Sequence, residues 1–118
     1  MTDIKSLSDI KTRCVRIKLR PDSLPAVRAW QHFLEQNRNE VLKTLEAEGV
    51  TLEAAFLDNR EGGDYLIYLM ACEDFDNAKA IAANSKSFVD EFHKKFKQEC
   101  WGESIELEPL ISFQRHPE

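Results

Sequence analysis

Apolar residues recur along this chain with two alternating periods, and their succession lays out six elements. From Arg13 to Leu19, Val15, Ile17 and Leu19 face one way and Cys14, Arg16 and Lys18 the other, the period of a half-buried strand. Pro21 removes the next ladder donor and ends it. A helix then runs from Asp22 or Ser23, either able to cap it, to about Glu48, with Pro25 tolerable in the first turn and Gly49 as a left-handed stop. Its apolar stripe is Val27, Trp30, Leu34, Val41 and Leu45. Thr51 to Asp58 alternates again, residues 59–64 form a turn, and Tyr65 to Ala71 is apolar on both faces, as a central strand covered on both sides would be.

Asp74 or Asp76 starts a second helix with the stripe Phe75, Ala78, Ala82, Ser85, Val89, Phe92, Phe96 and Cys100. Asn84-Ser85-Lys86-Ser87 is a weak point at which it can break in two. Gly102 is expected to cap its end, and a last strand is expected from Glu103 to Phe113, with Pro109 requiring an edge or a bulge. Strand, helix, strand, strand, helix, strand with right-handed crossovers gives an α+β fold of the ferredoxin-like βαββαβ type. Its antiparallel sheet has the order 4-1-3-2 and carries helices on one face. Residues 1–12 read as a flexible leader, with room for one loose helical turn around Leu7 to Ile10, residues 13–113 as one domain and 114–118 as a short tail.

Composition narrows what such a domain does. The net charge of −5 removes the clustered cationic surplus that nucleic acid binding needs, so no nucleic acid partner is expected. Lys94-Lys95-Phe96-Lys97 reads as the solvated flank of a helix. The longest apolar run, Tyr65 to Cys72, falls short of a membrane crossing, and no signal peptide precedes the fold, so a cytoplasmic location without membrane contact is expected. Cys14, Cys72 and Cys100 are odd in number and widely spaced, a pattern of reduced, buried thiols. Neither metal nor cofactor is expected, because His32, His93 and His116 have no ligand-spaced companions.

On an unbroken first helix, Arg38 falls about 20° from Val27 and Leu45, so its guanidinium would be aimed at the sheet. A buried charge needs a partner, which is either a carboxylate such as Glu53 or Glu48, or a ligand. Gln31 shares that face and Trp30 borders it, together the outline of a small pocket. Tyr68, on the central strand, and His93, at the edge of the second stripe, complete the candidate ligand-binding residues, each also readable as simple packing. Arg16 and Lys18 are expected to oppose Glu106 and Glu108 across the sheet. No nucleophile set, phosphate loop or persuasive carboxylate pair appears, so catalytic residues cannot be named.

The run Val15-Arg16-Ile17-Lys18-Leu19-Arg20-Pro21, then Trp30, Arg38, Thr44-Leu45, Glu48-Gly49-Val50, Glu53, Phe56 and Asp64-Tyr65-Leu66-Ile67-Tyr68, resembles a family of small uncharacterised proteins in the dimeric α+β barrel superfamily. The resemblance covers about residues 13–113. It implies a homodimer, packed sheet against sheet, which would cover the second face of the apolar third strand. The superfamily includes cofactor-independent monooxygenases, haem-degrading enzymes, sugar mutarotases and regulatory members, and in several of them the pocket lies between helices and sheet. Neither the histidine-rich haem arrangement nor the mutarotase catalytic pattern is present. Two expectations follow. One is a homodimer that binds a small anionic or carbonyl-bearing molecule, as an enzyme without a cofactor if it is one. Arg38 would then stabilise negative charge, Trp30 would wall the pocket, and Tyr68 or His93 would handle a proton. The other is a non-catalytic structural or regulatory dimerisation module.

Overall fold

A computed structural model describes residues 10–115. The elements are β1 (Lys11–Leu19), α1 (Leu24–Gln36), α2 (Arg38–Glu48), β2 (Val50–Arg60), β3 (Gly63–Cys72), α3 (Phe75–Asn84), α4 (Phe88–Cys100) and β4 (Trp101–Glu106). All pairings are antiparallel, in the order β2-β3-β1-β4. This is the expected ferredoxin-like sheet, with each of the two expected helices divided into a pair. The turn of the leader around Leu7 lies outside the described residues, but Lys11 and Thr12 already belong to β1, paired with Cys72 and Ala71.

The first helix breaks where the sequence pattern ran straight through. Asn37 sits at φ −112° and ψ 34°, and its Nδ2 donates to the Phe33 carbonyl at 2.8 Å. A short amide side chain that takes up a helix carbonyl competes with the next backbone turn. The α1 phase therefore does not carry into α2, and Arg38 becomes the exposed first residue of a new helix rather than a member of the buried stripe. Val27 and Trp30 are buried, while Leu34, Val41 and Leu45 are half-buried. The second break falls at Ser85-Lys86-Ser87, as the polar run there suggested, and Ser87 caps α4 by accepting from Asp90 N. Asp74, not Asp76, caps α3. Gly49 stops α2 at φ +74°, a conformation that costs glycine little.

The ends of the sheet also differ from the pattern. The hairpin turn is tighter than expected, with Arg60 paired to Gly63 across Glu61-Gly62. The last strand stops at Glu106 rather than Phe113. Leu107 N still donates to Cys14 O at 2.9 Å, but the next residue to point a donor at β1 is Pro109, which has none. Gly102 does not cap α4, because the chain enters β4 directly at Trp101. A Cβ on Gly102 would lie 2.9 Å from Lys18 O, at the register shift between Ile17 and Leu19, so glycine there permits a close strand approach.

Register divides the sheet into two faces. The helical face carries Ile17, Leu19, Leu66, Tyr68 and Cys72, which pack with Val27, Trp30, Ala78, Phe96 and Cys100 into the core. Across the opposite face runs the row Phe56, Ile67, Arg16, Ile105, one residue from each strand. Nothing covers it among the described residues, and Phe56 is 59% and Ile105 50% exposed. Arg16 thus opposes Ile105 and stacks over Tyr65 at 4.8 Å, and the strand-edge ion pair is Arg13–Glu106 at 2.8 Å. The expected partners of Arg16 and Lys18 were one pleat out of phase.

Candidate functional site

Two hollows flank the buried end of the sheet's helical face. One of about 490 Å³, the more enclosed of the two, lies between α2, α3, α4 and the sheet, and Glu48, Glu53, Tyr68, His93, Lys97 and Trp101 line it. An open groove of about 580 Å³ lies between α1, α2 and the edge strand β2, bordered by Arg28, Trp30, Gln31 and Arg38. Glu53 and Tyr68 line both, with Leu34, Val41 and Leu45, so the two hollows share a wall.

The candidates from the sequence therefore separate into two groups. Trp30, Tyr68 and His93 come together: the His93 ring centre lies 5.9 Å from that of Trp30 and 6.1 Å from that of Tyr68. Gln31 and Arg38 line the open groove with Trp30 and Tyr68 but do not share a cavity with His93. Gln31 spans Arg28 and Glu35 on the exposed side of α1, at 3.3 Å to each. Arg38 is exposed on the groove and has no hydrogen bond or ion pair among the described residues, so neither Glu53 nor Glu48 is its partner.

The polar groups at this cavity are constrained by their partners and surroundings. Trp30 Nε1 donates to His93 Nδ1 at 3.1 Å, which makes Nδ1 the unprotonated nitrogen and puts the proton on Nε2. Burial, and after it the Lys97 charge, lowers the imidazole pKa to about 4, so the ring is neutral at pH 7. Among the described residues, Trp101 Nε1 is the only buried side-chain nitrogen or oxygen lacking a partner. His93 Nε2 has no protein acceptor among the described residues and is not among the buried unpartnered atoms, and His93 lines the cavity.

Across the cavity, the Tyr68 hydroxyl donates to Glu53 Oε1. Burial raises the Glu53 pKa, and the Tyr68 hydrogen bond acts against that rise. Tyr68 is pushed well above the ordinary phenol value by burial and by the Glu53 charge, so it remains a donor. Glu48 rises to about 7 through burial, repulsion from Asp90 and repulsion from Glu53. At neutral pH the cavity thus holds a neutral imidazole N–H, the Tyr68–Glu53 hydrogen bond and, at Glu48, a carboxyl near half-protonation. Among the described residues, no three His, Cys, Asp or Glu side chains cluster to hold a metal ion.

Sequence reasoning missed the carboxylates as site groups, because it enlisted them only as partners for Arg38. The available signal was the β2 alternation. Glu53 shares its face with Ala55 and Leu57, the side that the register turns toward the helices. Lys97 and Trp101 gave less warning, since a charge run and a strand-opening indole both have ordinary explanations.

A family model matches residues 10–118, nearly the whole chain. The chain belongs to DUF6176, a family of unknown function. This is the uncharacterised family that the sequence resemblance called for. No curated protein matches this DUF6176 member. Among solved structures it is similar to an L-rhamnose mutarotase from Formosa agariphila, with a TM-score of 0.58 and 17% identity over 88% of this chain and 99% of that one. It is likewise similar to a NIPSNAP-like domain protein from Burkholderia xenovorans, with a TM-score of 0.58 and 16% identity over 92% of each chain. A candidate antibiotic biosynthesis monooxygenase from Chloroflexus aurantiacus gives 0.51 and 10% identity over 89% of this chain and 97% of that one. At these identities the likeness establishes the ferredoxin-like fold and nothing of the chemistry. Among the described residues, no helix is long and apolar enough to cross a membrane.

Proposed function

We propose that this DUF6176 protein is a homodimeric α+β barrel whose protomers each bind a small anionic or carbonyl-bearing molecule in the cavity between helices and sheet that His93 lines. One observation carries the reading: a half-buried imidazole, held by Trp30, has an N–H with no protein acceptor, in a cavity that also holds the Tyr68–Glu53 pair. An unmet donor in a cavity within the 300–1,000 Å³ range of small-molecule sites asks for a ligand oxygen. The site keeps the expected Tyr68 and His93, with Trp30 as the residue that orients His93, and adds Glu48 and Glu53, while the expected Arg38 and Gln31 line the open groove beyond the shared wall.

The same groups suit proton transfer without a cofactor. A neutral imidazole N–H can polarise a carbonyl oxygen, and a carboxyl with a pKa near the working pH can take and return a proton. Dimerisation is supported by the uncovered Phe56–Ile67–Arg16–Ile105 face, since two such faces together make a sheet-on-sheet core.

Native mass spectrometry of the full chain tests both parts. The expected species is a dimer that retains a small molecule, released by Glu53→Gln together with Tyr68→Phe. A dimer whose cavity stays empty against a panel of hydroxy- and oxo-acids would favour the non-catalytic dimerisation module, and a monomer would remove the barrel.

A further inference from the structure

Four cationic side chains line the cavity that holds His93, and two of them are already engaged. Arg13 pairs with Glu106 at 2.8 Å and lies over Phe75, and Lys94 bridges Glu91 and the carbonyls of Ala83 and Ser85. Lys79 on α3 and Lys97 on α4 have no carboxylate within ion-pair distance among the described residues, although both face the cavity. Lys97 Nζ is seated 4.6 Å above the Trp101 ring, which holds the ammonium at the cavity wall. The pair also strains against itself: after burial, Lys79 is the main cause lowering the Lys97 pKa, with Glu53 acting the other way.

We infer that Lys79 and Lys97 form an oxyanion subsite at one end of the cavity, so that the ligand is a small molecule with an anionic group a few atoms from a hydroxyl or carbonyl oxygen. This inference rests on that cavity being a ligand site and adds the class of ligand. Two like charges from different helices, both exposed at the cavity wall and without a carboxylate partner among the described residues, are stabilised by an anion placed between them. The spacing sets the size. His93 and Lys97 are one turn apart on α4, about 6 Å along the axis. An oxyanion at Lys97 and an oxygen accepting from His93 Nε2 are then separated by three or four bonded atoms, the dimension of a three- or four-carbon hydroxy-acid, oxo-acid or phosphate ester. Trp101 stands under the anionic end, and Trp30 reports on the His93 end through its hydrogen bond.

These are the only two tryptophans, so their indole N–H signals read the two ends of the cavity separately. The full chain is titrated with glycerate, glycerol 3-phosphate and the neutral glyceraldehyde, followed by ¹H–¹⁵N correlation spectra. The two anions are expected to shift both indole signals, and the tighter of them tells carboxylate from phosphoryl recognition. Lys97→Met and Lys79→Met should each weaken anion binding by about tenfold, the loss of one charge-assisted contact, while Arg38→Met, in the open groove, leaves it unchanged. Glyceraldehyde binding as tightly as glycerate, or anion binding that survives both lysine substitutions, overturns the subsite while the cavity reading stands. Loss of anion binding in Arg38→Met alone places the anion in the open groove and also overturns it. If none of the three compounds moves either indole signal, the cavity as a ligand site falls with it.

Discussion

Acidification below pH 6.5 withdraws stability from this protein in proportion to the cost of charging His93. The ring has an ordinary pKa of 6.5 when unfolded and about 4 in the fold, because burial and the neighbouring Lys97 disfavour the cation. Protonation of Nδ1 also removes the acceptor that Trp30 Nε1 uses. A folded pKa below the unfolded one means that the unfolded chain binds the extra proton first. The stabilisation is therefore complete above pH 6.5 and is lost as pH falls toward 4. At about 1.4 kcal/mol per pH unit, the separation of roughly 2.5 units is worth about 3 kcal/mol in full, of which about 2.5 is lost by pH 4.5. Urea unfolding of the parent and of His93→Gln at pH 7 and pH 4.5 isolates the effect, because the other titrating groups are common to both proteins. The stability difference between them should move against the parent by about 2–3 kcal/mol on going to the lower pH. An unchanged difference would mean that His93 is not buried neutral, and the hydrogen bond from Trp30 would lose its meaning.

Glu48 has the opposite sign. Its folded pKa of about 7 lies above the ordinary 4.5, so it disfavours the fold as pH rises between those values, and Glu48→Gln should be more stable than the parent at pH 8 but not at pH 4.5. The group is half exposed, and with solvent screening the gain is about 1 kcal/mol by thermal or urea unfolding. On the bare sheet face, Phe56→Lys places a charge in the middle of the proposed dimer interface and should yield a folded monomer by light scattering coupled to gel filtration. Gly102→Ala puts a Cβ against Lys18 O, and the β1–β4 pairing must shift to admit it. A loss of about 1–3 kcal/mol is expected, and a neutral result would show that the strands are not held that close.

Periodicity carried the sheet order and the core because both are written in side chains that alternate or recur on one face. Val15, Ile17 and Leu19 cannot be buried together in any other register. The polar break at Ser85 to Ser87 was legible for the same reason. Asn37 was not, because a single amide between two apolar stripes is tolerated in many helices, and only its bond to the Phe33 carbonyl makes it a terminus. That one residue misdirected the search for a site. Phase counted through Asn37 buried Arg38 and concealed Glu53 as its counter-ion, whereas the fold exposes the arginine and gives the carboxylate to Tyr68. Trp30, Tyr68 and His93 could be proposed individually, but their contact joins α1, β3 and α4, elements distant in sequence, and no spacing rule reaches that far.

The account turns on one proton. A long-range ¹H–¹⁵N spectrum of the His93 ring at pH 7, recorded with and without glycerate, should show a neutral imidazole with hydrogen on Nε2 and a bare Nδ1, and the Nε2 signal should move when the ligand is added. An imidazolium, or hydrogen on Nδ1, would contradict the Trp30 hydrogen bond and the open donor on which the cavity's proposed function rests.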